Sequence, residues 1–251
     1  MAATIAQALN CSTNRRGNRA GDPFGGGIPM ALVAIAVTLL GFWRTFFSQL
    51  GHVDAAHMLH GAASTGWLVL VLAQATLIRA RQFKWHRVIG WSSLLLFAVL
   101  LLSSWHMMAL LLSGKGAPMP FPSAKLFVFS DVTALPLFII CYVGAIVLRK
   151  DRHVHSRLVS TTLLAGLLPA IARMFARIWT GLDGLIFSMH PTYIFVLVIL
   201  AIAIFVDWKK DRLRWPFPFA FVWFAISYAT LFSGTSSLWF DHLARVIAAT
   251  A

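Results

Sequence analysis

The chain has little charge, few acidic residues and almost no cysteine. Of its 251 residues 12% are charged, eight are Asp or Glu, and two are cysteines, Cys11 and Cys141. A soluble domain carries about 25% charged and roughly 45–50% apolar residues, whereas 59% of this chain is hydrophobic. Lipid is the solvent that accepts such a surplus of apolar surface. Because the two cysteines lie far apart in the sequence, we do not expect a disulfide between them.

Several familiar sites are also missing from the sequence. It has no P-loop, no His-Glu-x-x-His, no Gly-x-Ser-x-Gly and no dinucleotide fingerprint, and without Cys-x-x-Cys-His no covalent c-type haem is expected. The last apolar run contains no lysine, which argues against a retinal Schiff base. Residues 1–28 hold arginines with no apolar stretch ahead of them, which predicts a disordered cytoplasmic tail and not a cleaved signal peptide.

Seven apolar runs predict transmembrane helices. Each has roughly the 17–25 residues that cross about 30 Å of hydrocarbon, and the short alternating segments of a membrane β-barrel are absent. We therefore expect an all-α integral membrane bundle of about seven helices over 29–235, then a short amphipathic outer tail over 236–251. The runs lie at about 29–48, 60–80, 88–113, 125–148, 157–180, 191–207 and 216–235.

Positive charge alternates between the connections of these runs. In a soluble protein the formal net charge of +13 would suggest nucleic acid, but here the basic residues occupy short loops. By the positive-inside rule, this pattern puts the N-terminus in the cytoplasm and the C-terminus outside, with the lipid bilayer as partner and no nucleic acid. The basic residues after the second, fourth and sixth runs are Arg79, Arg81, Lys84, Arg87, Arg149, Lys150, Arg152, Arg157, Lys209, Lys210, Arg212 and Arg214.

The second run has polar residues on one helical face. His57, His60, Ser64, Trp67 and Gln74 follow one another at spacings of three, four, three and seven residues. Such spacings keep side chains on the same side of an α-helix. This polar stripe is expected to face the interior of the bundle, since polar groups are unfavourable against lipid.

Counting depth from the loop centres brings further ionisable residues to the level of His60. In neighbouring antiparallel helices, residues equally far from the connecting loop lie at the same depth. By this count His106, Asp131 and the level of Arg173 and Arg177 lie at the depth of His60, and the two arginines are one helical turn apart. The sequence thus predicts one polar layer in the outer third of the membrane. Pro169, one turn before Arg173, is expected to weaken that helix.

Two chemistries fit this layer. Imidazole nitrogen binds zinc, copper and iron, so His60 and His106 are candidate metal or haem ligands, the alternative being simple hydration or hydrogen bonding. Asp131 and Arg173, with Arg177 nearby, are expected to form a structural charge pair. The alternative for these charges is proton or anion handling.

A second, cytoplasmic layer contains His86 and His155. They are candidate axial ligands of a b-type haem held between the third and fifth helices, and the alternative is contact with lipid headgroups. His86 and His106 are 20 residues apart, or about 30 Å along a helix, so they cannot share one metal ion.

The stretch from His57 to Trp91 carries a resemblance. Its elements are His57-x-x-His60-Gly61, then Trp67, Gln74 and His86-Arg87 followed by a Gly-Trp pair. This pattern is similar to that of uncharacterised bacterial multi-pass inner-membrane proteins, which implies an inner-membrane location and no defined activity. A weaker resemblance links the chain to the two-haem cytochrome b561 proteins, but the fourth run has no histidine, which breaks their pairing.

Three functions remain open at this point. The leading hypothesis is a cofactor- or metal-binding membrane protein with a redox role or a role in respiratory-complex assembly. A proton-coupled transporter with flux that depends on Asp131 is the second. The third is an accessory subunit of a membrane-protein complex, with the polar stripe against its partner; the sequence specifies no reaction.

Overall fold

The computed structural model describes residues 27–116, 119–178, 184 and 186–251, so most of the predicted tail lies outside the described part of the chain. Within these ranges the chain is helical, without strands. A 3₁₀ helix, Phe47–His52, precedes the second α-helix. The α-helices are α1 Ile28–Phe42, α2 Ala55–Arg79, α3 Phe83–Ser113, α4 Phe121–Val147, α5 Arg152–Phe175, α6 Met189–Lys209, α7 Pro216–Ala229, α8 Leu231–Thr235 and α9 Leu238–Ala248.

Five helices are long and apolar enough to cross a membrane, namely α2 to α6. The helical bundle confirms the all-α class, and its five long apolar helices are compatible with the predicted multi-pass membrane protein. The apolar helices α1 and α7 have 15 and 14 residues, or about 21–22 Å at 1.5 Å per residue. That is shorter than about 30 Å of hydrocarbon, so the count of seven spans stays a prediction.

The two ends of the bundle differ in charge. We call the end with connections 80–82, 148–151 and 210–215 the basic end, and the opposite one the distal end. Helix α5 lies at the centre, because 67% of its apolar window is buried against 22% in α2 and in α3. The outer faces of α2 and α3 are accordingly left for lipid.

Aspartate caps fix the starts of α2 and α5. The Asp54 carboxylate accepts hydrogen bonds from the backbone N–H of Ala56 at 3.0 Å and of His57 at 3.1 Å, which satisfies donors that a helix start leaves unpaired. Asp151 caps α5 in the same way, at 2.9 and 3.1 Å. The His57 N–H is the main cause that holds the pKa of Asp54 below its usual value, and the Val154 N–H does the same for the pKa of Asp151.

Helix α1 touches α5 backbone to backbone. A Cβ atom at Gly41 would collide with the Ala170 carbonyl oxygen and lie 2.8 Å from the Ala170 Cα. Only glycine permits so close an approach, because any larger residue would push the two helices apart. The contact lies near the distal end, one residue after Pro169.

A buried ion pair joins α5 to α6 near the basic end. The Arg157 Nε donates to Asp207 Oδ2 at 2.5 Å and its Nη2 donates to Oδ1 at 2.6 Å. The two side chains are 0% and 1% exposed. The interpretation of Arg157 as a loop charge is wrong, because α5 begins at residue 152, before the predicted start at 157, and so takes Arg157 into the bundle.

The C-terminal tail folds as α9 and packs on the distal end. Its apolar face, Phe240, Ala244 and Ile247, is fully buried. Asp241 forms an ion pair with Lys125 of α4, and Lys125 also donates to a backbone carbonyl at the end of α8. The predicted amphipathic helix is therefore present, while its position on the membrane surface stays a prediction.

Candidate functional site

A cavity of about 550 Å³ opens in the distal half of the bundle. Its walls come from α1 to α5 and from the 3₁₀ helix, and most of the lining side chains are apolar. Along α2 it reaches from Asp54 to Leu68, which is about 20 Å of helix. Ligand cavities in proteins measure roughly 300–1,000 Å³, so this one has the size of a small-molecule site.

An exposed pair marks the mouth of the cavity. His57 Nδ1 lies 2.6 Å from Asp54 Oδ2, and the two side chains are 43% and 62% exposed. Both residues line the cavity. His57 is thus hydrogen bonded to Asp54 and partly exposed to solvent.

His60 lies one turn deeper and is held between two hydroxyl groups. Its Nδ1 is 3.1 Å from the Ser103 Oγ, and its Nε2 is 3.5 Å from the Ser64 Oγ. Because the Ser103 hydroxyl donates to the Leu100 carbonyl, its oxygen can accept the proton of His60 Nδ1. This assignment leaves the lone pair of Nε2 as the acceptor for the Ser64 hydroxyl.

Asp131 and Arg173 both line the cavity but do not touch. In the described part of the chain no nitrogen–oxygen contact within 4.0 Å joins them. The Arg173 Nη1 instead donates to the Pro169 carbonyl at 3.1 Å, and its guanidinium lies 4.5 Å from the centre of the Phe42 ring. The predicted charge pair is therefore brought into one cavity without direct contact, with both charges facing the open space.

The inner limit of the cavity is aromatic. The Trp67 Nε1 donates to the Thr162 Oγ1 at 3.3 Å, and the Trp67 ring lies 5.1 Å from that of Phe138. Nearby, Pro169 has no N–H, so it leaves the carbonyl of Ala165 without its helical donor. Ala165 is a lining residue, and its carbonyl adds a hydrogen-bond acceptor to the wall.

The structure separates other predicted site residues from the cavity. His106 is exposed and is not one of the lining residues, and Arg177 is exposed beyond the end of α5. His106 is two residues from the lining residue Ser104, or about 200° around the helix. His60 and His106 are therefore not assembled into one site. Across the described ranges no group of three or more His, Cys, Asp or Glu residues is arranged to hold a metal ion.

Gln74 does not line the cavity with the rest of the polar stripe. It lies near His86 and His155, close to the basic end. The two imidazole rings lie 6.4 Å apart between centroids, at an angle of 79°. A Cβ at Gly90, one turn after His86, would lie 3.7 Å from the Gln74 amide nitrogen. The predicted histidine pair is thus brought together, with an amide beside it.

Sequence reasoning missed the segment that covers the cavity mouth. The first predicted span runs to residue 48, but α1 ends at Phe42 and the 3₁₀ helix Phe47–His52 follows. Gly61 could have indicated a close contact, because a Cβ there would collide with the ring of Phe46. Glycine at this point of α2 lets the covering segment lie against the helix.

Comparisons of the chain with family models, with curated proteins and with solved structures find no match. The cavity therefore supplies the observations that bear on function. Its wall is largely apolar and carries one arginine, Arg173, two carboxylates, Asp54 at the mouth and Asp131, and the imidazoles of His52, His57 and His60.

Proposed function

We propose that this protein is a proton-coupled membrane carrier that binds a small, partly apolar organic anion in the distal cavity. Arg173 anchors the anionic group, and Asp131 takes up the coupled proton. The observation that carries the proposal is the placement of these two charges on one cavity without an ion pair between them. Ionisable groups at membrane depth are costly and mark substrate or proton pathways.

Coupling follows from the electrostatics of the two groups. An entering anion is attracted by the guanidinium of Arg173 and repelled by an ionised Asp131. Protonation of Asp131 removes this repulsion, so binding of the anion and of the proton favour each other. By linkage, the anion raises the proton affinity by the same factor as the proton raises the anion affinity.

The cavity wall selects the rest of the substrate. Phe42, Trp67 and Phe138 surround the open space together with leucine and methionine side chains. An apolar body of about the size of a benzene ring or a short alkyl chain gains from burial against this wall. The Ala165 carbonyl offers an acceptor for a polar substituent.

Two proline-containing helices carry the proposed charges. Pro136 lies inside α4, which carries Asp131, and Pro169 lies inside α5, which carries Arg173. Each proline removes a backbone hydrogen bond and weakens its helix locally. These are the positions where a carrier of this design can bend to change access to its cavity.

The proposal includes a membrane topology. We infer that α1 and α7 complete seven spans, with α8 extending α7 by one further turn, and that the protein lies in a bacterial inner membrane. The N-terminus is then cytoplasmic and the basic end faces the cytoplasm, as the positive-inside rule requires. No contact in the described chain favours the metal or haem role of His60 and His106, or an accessory-subunit role, over the carrier.

The test combines binding with proton uptake. In weakly buffered detergent solution, benzoate added to the purified protein should bind with uptake of close to one proton. Asp131→Asn should bind benzoate without proton uptake, and Arg173→Gln should lose binding. Arg177→Gln, which removes an exposed arginine one turn away, is the matched control and should behave as wild type.

Transport is measured with a probe that lipid does not pass. Labelled benzenesulfonate keeps its charge at every relevant pH, so its uptake into proteoliposomes requires a carrier. An inward proton gradient should drive its accumulation in wild type and in Arg177→Gln but not in Asp131→Asn. Binding of either anion that is unchanged in Arg173→Gln would refute the proposed anchor.

A further inference from the structure

Three polar atoms near the basic end are buried without a partner. They are the amide nitrogen and oxygen of Gln74 and the Nδ1 of His86. More than about 90% of buried polar groups in proteins are hydrogen bonded, because a buried group without a partner has lost its hydrogen bonds to water without replacing them. Three such atoms in one cluster indicate a binding partner at this place.

The geometry of His155 indicates what kind of partner. Its Nδ1 lies 2.8 Å from the carbonyl oxygen of Ala145, to which it donates a proton. In the neutral ring this hydrogen bond leaves the lone pair on Nε2, and it fixes the orientation of the ring. Metal-bound histidines almost always have such a second hydrogen bond, from the ring nitrogen that does not bind the metal.

The two imidazole rings lie close enough to reach one shared ion after a small rearrangement. A zinc ion lies about 2.0–2.1 Å from an imidazole nitrogen, so two rings on one tetrahedral ion have centroids about 5 Å apart. His86 and His155 come from different helices and their centroids are 6.4 Å apart, so binding one zinc ion must bring the two rings about 1 Å closer. The Gln74 amide, beside the turn of α3 that follows His86, supplies an oxygen for a third coordination position.

We propose that His86, His155 and the Gln74 amide oxygen bind one divalent transition-metal ion, for which Zn²⁺ is the probe. Imidazole is a preferred ligand of zinc and copper. The site is independent of the carrier proposal, because His86 lies 17 residues before Ser103 on α3, or about 26 Å from the level of His60. It joins α2, α3 and α5 at the basic end.

The experiment measures zinc on the full chain, purified in detergent without a histidine tag. After removal of metal with a chelator, the protein is dialysed against Zn²⁺ and its zinc content is determined by mass spectrometry. Wild type should retain one zinc per chain, and X-ray absorption should show two nitrogen ligands at about 2.0 Å. His86→Ala and His155→Ala should each bind zinc at least tenfold more weakly.

His106→Ala is the matched control, since it also removes one histidine from α3 but an exposed one. It should retain zinc as wild type does. His86→Gln and His155→Gln serve as second variants if an alanine variant elutes as an aggregate. The proposal is overturned by equal zinc content in all variants, by a wild-type protein without zinc, or by a haem Soret band that requires His86 and His155.

Discussion

Replacing Asp207 by asparagine should destabilise the protein strongly. The carboxylate is 1% exposed and its partner Arg157 is 0% exposed, with two hydrogen bonds of 2.5 and 2.6 Å between them. Asparagine keeps the shape but removes the negative charge that Asp207 places against the buried guanidinium. Removal of one partner of a buried pair costs about 3–5 kcal/mol, and solvent does not screen a charge at this depth.

Thermal unfolding in detergent, at one scan rate, measures this effect. For a chain of this size 1 kcal/mol corresponds to roughly 2–4 °C, so the midpoint of Asp207→Asn should fall by about 6–20 °C. Asp211→Asn is the control, since Asp211 is exposed and its positive φ of 50° suits asparagine. The double variant Arg157→Met, Asp207→Leu should recover most of the loss. Equal midpoints for both single variants would refute the reasoning.

Three further predictions concern helix contacts. Gly41→Ala should lower the thermal midpoint by the equivalent of about 1–3 kcal/mol, because the added methyl group collides with the backbone of α5. Gly166→Ala is the control and should leave the midpoint unchanged, because the space around Gly166 is open. Lys125→Met should lower the free energy of local unfolding of α9 by about 1 kcal/mol, which would appear as roughly fivefold faster amide exchange in that helix. Asp241→Asn removes the other partner of the ion pair and should increase the exchange rate by the same factor. When the pH is above the ordinary carboxyl pKa near 3.8, the ionised Asp54 cap should stabilise the start of α2 fully. This stabilisation should be lost as the pH falls through the pKa of Asp54 in the folded protein, which is lower than the ordinary value. Amide exchange in the first turn should show that loss, and Asp54→Ala should show the unprotected rate at every pH.

Depth along a helix could be predicted from the sequence, because the rise per residue is fixed. Counting from the loops brought His60, Asp131 and Arg173 to one level, and all three line the cavity. It failed for His106 because depth does not determine which side of a helix a residue faces. The sequence of α3 does not indicate which face turns inward either, because its own apolar side chains are distributed over all sides of the helix.

The cavity itself could not be predicted. Its shape depends on where α1 ends and on how the 3₁₀ helix lies over α2, and an apolar run shows neither. The buried pair was missed because Arg157 stands next to a basic loop. Asp207, an acidic residue inside an apolar run at the same end of the bundle, was the signal that depth counting could have used.

The two fixed contacts of α5 have a mechanical consequence. Arg157 ties the basic half of this helix to α6, and Gly41 ties its distal half to α1, with Pro169 between the two attachment points. A bend at Pro169 therefore moves α1 together with Arg173. Since α1 leads directly into the 3₁₀ helix at the mouth, a bend at Pro169 moves the proposed anion anchor, Arg173, and the entrance to the cavity together.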